Sequence, residues 1–135
     1  MQRRELMTTV AMAAMAMGLP GRALAQAGYP TRPVRMIVPF PAGGPTDVMG
    51  RAAAKAMSDK LGQPFVVENK AGAGGNIGTD AVAKAATDGY TIGLTAISSL
   101  AIAPHLYNSV PFDVEKDLRP ISLVGTTPCA LVINP

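Results

Sequence analysis

Two residue types that carry much of protein chemistry are almost missing from this chain of 135 residues: it holds one cysteine, Cys129, and one histidine, His105. A single cysteine allows no intrachain disulfide, and one of each leaves no zinc cluster of the usual spacing. Cys129 lies in the apolar segment Pro128-Cys129-Ala130-Leu131-Val132 and reads as a buried structural thiol rather than a nucleophile. His105 stands beside Leu106 with no visible nucleophile partner, so it reads as a surface or packing residue. The nucleophile elbow Gly-x-Ser-x-Gly is absent, and so is the Gly-Lys-Ser/Thr of a P-loop. Charge of one sign is scarce as well. The formal net charge of +3 rests largely on the N-terminal segment, which carries Arg3, Arg4 and Arg22 against Glu5. Without residues 1–25 it falls to +1, which is no nucleic-acid footprint.

That N-terminal segment has the form of an export signal. Arg3-Arg4 is a basic start, Thr8 to Leu19 is an uncharged run of twelve residues, and Ala23-Leu24-Ala25 is an A-x-A cleavage site before Gln26. The run is shorter than the roughly 18 to 20 apolar residues of a membrane-spanning helix. Ordinary secretion by the Sec route is expected, with the Arg pair also fitting a loose twin-arginine signal. Five of the eight methionines, Met1, Met7, Met12, Met15 and Met17, fall in this leader. Met36, Met49 and Met57 remain as core candidates, with no metal-handling role.

Residues 26–135 suffice for one small domain. Val34 to Val38 reads as a buried strand, ended by Pro39 and Pro41. Gly43-Gly44 then lets the backbone approach another body, and Thr46 or Asp47 caps a helix running to about Leu61 with Gly62 at C′. Phe65 to Glu68 is a second strand. The Gly-rich loop Ala71 to Gly75 opens a helix from about Asn76 to Ala86, and the turn Asp88-Gly89 leads to a third strand, Tyr90 to Thr95. A short helix at Ser99 to Tyr107 follows, then strands at Ile121 to Gly125 and Ala130 to Asn134. This alternation predicts an α/β fold with a mostly parallel sheet and helices on both faces. Ligands of such sheets bind beyond the carboxyl ends of the strands.

Three loops fall there: Phe40 to Asp47, Asn69 to Gly78, and Thr95 to Ser99. The glycines of Gly72-Ala73-Gly74-Gly75-Asn76-Ile77-Gly78 are spaced G-x-G-x-x-x-G after the second strand. The dinucleotide fingerprint needs G-x-G-x-x-G after the first, so no nucleotide cofactor is expected. Backbone N–H groups at a loop and helix start favour anions, carboxylates in particular.

Five motifs in order then carry a specific resemblance. They are Tyr29-Pro30 through Pro39-Phe40-Pro41-Ala42-Gly43-Gly44; Leu61-Gly62-Gln63-Pro64 with Val66-Val67-Glu68-Asn69; Gly72 to Gly78; Ala85-Ala86 with Asp88-Gly89-Tyr90; and Pro104-His105-Leu106-Tyr107 with Pro111-Phe112-Asp113 and Asp117-Leu118-Arg119-Pro120-Ile121. Together they resemble the Bug or TctC family, periplasmic solute-binding proteins of tripartite tricarboxylate transporters. The resemblance implies a two-lobed binding protein that closes on a small carboxylate (a di- or tricarboxylate, an amino acid or an aromatic acid) and delivers it to a membrane permease, with no catalytic step and no cofactor. By position it places ligand contacts at Phe40, Pro41, Ala42, Gly43, Gly44, Thr46 and Asp47 in the first loop, at Thr95, Ala96, Ser98 and Ser99 in the third, and at Asn76. The family loop usually runs Pro-Phe-Pro-Pro-Gly-Gly; here Ala42 replaces the second proline, and Pro45 follows the glycines without an N–H to offer. Asp47 reads as a helix cap or as the holder of a bound water, and Ser98 and Ser99 as caps or ligand contacts. Family members are about twice this length or more. The chain is therefore expected to be a first lobe that stops near the hinge with the second lobe missing, either a fragment or a truncated reading frame without function. A small exported hydrolase or oxidoreductase on a similar sheet is the competing reading, and it requires a nucleophile with a base, or a bound cofactor.

Overall fold

The computed structural model describes residues 28–127. Their centre is a three-stranded, all-parallel sheet of β1 (Val34–Val38), β2 (Phe65–Asn69) and β3 (Thr91–Gly93), in the order β2-β1-β3. Val34 pairs with Phe65 and Val38 with Asn69, while Met36 sits opposite Ile92 on the other side. The middle strand is buried on both faces, as a parallel sheet between helices requires: Val34, Ile37 and Val38 have no exposed surface.

The connections between strands are helical. α1 (Pro45–Leu61) covers the face of Val34, Met36 and Val38, where Ala54 and Phe65 complete the buried cluster. Gly50 lets the helix approach closely: a Cβ there would lie 3.0 Å from Val38 Cγ2 and 3.3 Å from Leu94 Cδ2. α2 (Asn76–Ala83) covers the opposite face. Val82 lies over Gly93, where a Cβ would meet it at 2.7 Å, and Gly78 rides on the Pro39 backbone. Helices on both faces are thus observed. Of the methionine core candidates, Met36 is buried and Met57 packs against the same cluster.

Several local expectations are corrected. Neither Thr46 nor Asp47 caps α1; Gly44 holds the N-cap position and Pro45 takes N1, where a proline loses no helical hydrogen bond and its φ is already set. The far end follows the sequence: Gly62 adopts the left-handed conformation at φ 70° and its N–H donates to the Ser58 carbonyl at 3.0 Å. α2 ends at Ala83 rather than Ala86, and β3 is shorter than Tyr90 to Thr95. The single short helix expected at Ser99 to Tyr107 is instead a π-helical turn, Ser98–Ile102, continued by α3 (Ala103–Leu106). Pro104 has no N–H to donate four residues back, and the widened turn lies just ahead of it. Ile121 to Gly125 forms no strand. Ile121 and Leu123 are 84% and 80% exposed, and no described strand lies beside them to supply ladder partners. The expected strand at Ala130 to Asn134, Cys129 and the leader fall outside the described residues.

Candidate functional site

Because all three strands run the same way, their carboxyl ends deliver three loops to one edge of the sheet. The first, between β1 and α1, lies in the middle. It contains Phe40, Pro41, Ala42, Gly43 and Gly44; Gly43 has φ 83°, a conformation that favours glycine. Pro41, Ala42 and Gly43 are exposed, while Phe40, Gly44 and Thr46 are partly covered.

The loops converge on Gly75. A side chain there would collide with Ser99 Oγ from the third loop and approach Phe40 Cζ of the first to 3.2 Å, and its φ is 101°. Hydroxyl groups tie this junction. Ser99 is fully buried and its Oγ donates to the Gly74 carbonyl at 3.1 Å. Thr79, 1% exposed, donates to the Gly75 carbonyl at 2.9 Å and shares a hydrogen bond with Thr95 Oγ1 at 3.1 Å. The structure therefore brings Phe40, Thr95 and Ser99 to one point with the Gly-rich loop, but it uses the Thr95 and Ser99 hydroxyls internally. Asn76, 6% exposed, begins α2 beside this junction, and its Oδ1 is buried without a partner among the described residues.

Asp47 is not the N-cap foreseen for it, since Gly44 holds that position. At the third position of α1 and 2% exposed, it turns its carboxylate back under the loop. Oδ2 accepts the Gly43 N–H at 2.8 Å and the Arg51 Nε–H at 2.9 Å, and Oδ1 accepts the Asn69 amide at 2.8 Å. The Arg51 hydrogen bond, then those of Gly43 and Asn69, hold its carboxyl well below the usual carboxylate range despite burial. The sequence reading missed Asn69, Arg51 and Thr79. The Asp47/Arg51 spacing of four was a visible helix pair, whereas Asn69 reaches Asp47 across 22 residues.

The donors left over define what the site can do. Gly44 has no side chain to cap the helix, so the N–H groups of Thr46 and Asp47 have no acceptor among the described residues, and neither does that of Ala42. The Thr46 and Ser98 hydroxyls are likewise without partners there. An anion seated at this edge would meet main-chain and hydroxyl donors rather than a cationic side chain. His105 lies elsewhere, exposed on the rim of a pocket of about 400 Å³ with Leu100, Phe112 and Asp113, as expected of a surface histidine. No helix among the described residues is long and apolar enough to cross a membrane, and no group of three or more His, Cys, Asp or Glu side chains there is placed to hold a metal ion.

Known proteins resemble this chain in sequence and fold. Residues 49–135 match the profile of the tripartite tricarboxylate transporter family receptor, TctC. Protein BugT of Bordetella pertussis is 57% identical over 108 residues, covering 79% of this chain and 33% of its own. Among solved structures, the periplasmic binding protein BugD aligns with a TM-score of 0.63 at 49% identity, over 66% of this chain and 29% of that one. MatC from Rhodopseudomonas palustris, solved with bound malate, aligns with a TM-score of 0.68 at 38% identity, over 71% of this chain and 33% of that one. The chain thus spans about a third of the length of the relatives it matches, in keeping with part of one lobe of a binding protein. Sequence profile, relatives and fold agree: the chain belongs to the tripartite tricarboxylate transporter receptor family, the Bug or TctC proteins.

Proposed function

We propose that this chain supplies the carboxylate-gripping loops of an exported solute receptor, which hands its ligand to a membrane permease of the tripartite tricarboxylate type. The carrying observation is the glycine cap of α1. It leaves the Thr46 and Asp47 N–H groups without acceptors at the edge where three loops meet, while Asp47 keeps its own charge turned inward to Arg51. A ligand carboxylate fits those donors, with the Ala42 N–H and the Ser98 hydroxyl as further partners and Phe40 and Pro41 as an apolar wall. Gly43 and Gly44 give the approach, and Thr95, Ala96, Ser99 and Asn76 support the seat from behind. Malate bound to MatC supports a small di- or tricarboxylate in this role. In the complete receptor a second lobe closes over the ligand. Residues 1–25 act as the export leader, consistent with the periplasmic relatives.

The reading is tested by calorimetric titration of the chain with malate, succinate, citrate and an aromatic acid. Saturable binding of at least one of them, weakened by Ser98→Ala, is expected. Absence of binding across the panel contradicts it.

A further inference from the structure

Asn69, Asp47 and Arg51 close a ring beneath the first loop. Arg51 Nε donates to Asp47 Oδ2, Asn69 Nδ2 donates to Asp47 Oδ1, and Arg51 Nη2 donates to Asn69 Oδ1 at 3.1 Å. The orientation of the Asn69 amide follows from its partners. Arg51 can only donate and the Asp47 carboxylate can only accept, so a flipped amide would face donor with donor and acceptor with acceptor. Two further bonds leave the ring upward. Asn69 Nδ2 also donates to the Phe40 carbonyl at 3.0 Å, and Asp47 Oδ2 takes the Gly43 N–H. The loop is gripped at residues 40 and 43, and the exposed Pro41 and Ala42 span the interval. The grip comes from two separate elements, the end of β2 and the first turns of α1.

From this geometry we infer that Asn69, Asp47 and Arg51 are positioning residues: they fix the shape of the loop that receives the ligand, and Arg51 offsets the Asp47 charge so that an anion can sit above it. This rests on the carboxylate reading proposed above. A buried carboxylate under an anion site would repel it if uncompensated, and the Arg51 guanidinium is the ion-pair partner it has, at 2.9 Å. Arg51 itself is 55% exposed, so its contribution is open to screening by salt.

The test uses the full chain and two readouts. Amide hydrogen exchange at Gly43 is compared in the wild type, Asn69→Ala and Arg51→Gln, with the β1 amides of Met36 and Ile37 as the control for folding. Succinate affinity is measured on the same proteins at low and high salt, with the double variant Asp47→Asn/Arg51→Gln added. Gly43 exchange in Asn69→Ala is expected to be faster by about tenfold or more with β1 protection kept. Succinate affinity is expected to be about tenfold weaker in Arg51→Gln at low salt, with a smaller loss at high salt and partial recovery in the double variant. A merely structural role would produce neither the salt dependence nor the recovery. Unchanged Gly43 exchange in Asn69→Ala overturns the positioning role. Loss of β1 protection in both single variants assigns the ring to folding and overturns it as well. If the wild type does not bind succinate while Gly43 responds as predicted, the grip on the loop stands; the charge compensation falls, together with the dicarboxylate reading.

Discussion

The buried hydroxyl of Ser99 donates to the carbonyl of Gly74 at 3.1 Å, joining two loops whose residues are 25 apart in sequence. Its neighbour Ser98 is only partly covered and has no partner among the described residues. Adjacent serines with opposite surroundings predict opposite phenotypes. Ser99→Ala leaves the Gly74 carbonyl unpaired and is expected to cost about 1–3 kcal/mol in urea unfolding, whereas Ser98→Ala changes stability by about 0.5 kcal/mol or less and lowers carboxylate affinity.

Gly75→Ala is expected to be strongly destabilising. It combines a left-handed backbone with a Cβ driven into Ser99 Oγ and the Phe40 ring, effects that cost about 1–2 and 1–3 kcal/mol respectively. Gly44→Ala provides the contrast. At φ −75° its Cβ would be 3.4 Å from the Pro41 carbonyl oxygen, an ordinary contact, so the fold is expected to survive with a thermal midpoint near that of the wild type.

Thr79→Val keeps the shape of a buried side chain and removes its hydroxyl. The Gly75 carbonyl and Thr95 Oγ1 both lose a partner, and a loss of about 1–3 kcal/mol in unfolding free energy is predicted. Carboxylate affinity should fall with it, because both partners belong to the loops at the candidate site.

Asp47 sets an acid dependence with a definite sign. Its folded carboxyl titrates below its ordinary value of 3.8, held there first by Arg51 and then by the Gly43 N–H and Asn69. Stability from this group is therefore present above about pH 4 and is lost progressively as pH falls from the ordinary carboxyl value towards the lower folded one. Asp47→Asn should be less stable than the wild type at pH 7, and the gap should stay constant down to about pH 4 and narrow below it. Unfolding midpoints measured from pH 7 to pH 2 check this.

Much of the fold was legible because its signals are local. Val34 to Val38 between proline-rich segments, Gly62 after Leu61, and Phe65 onward each announce an element through nearby residues, and the structure places those elements within a residue or two. The start of α1 was misread because three capping signals compete within four residues; Pro45, best placed at N1, shifts the cap to Gly44. Ile121 to Gly125 has strand-forming residues, but a strand also needs a neighbour, which local sequence does not reveal. The three loops were found from their order alone. Their internal wiring was not, since Asn69 to Phe40 and Thr79 to Thr95 are contacts set by the packing of separate elements.

The proposed grip of main-chain N–H groups at the start of α1 on a ligand carboxylate is read out by an amide-resolved NMR titration of the ¹⁵N-labelled chain with malate. Saturable shifts concentrated at Ala42, Thr46, Asp47 and Ser98 are expected. Saturable shifts centred instead on the His105 and Phe112 pocket, or none at the start of α1, would contradict it.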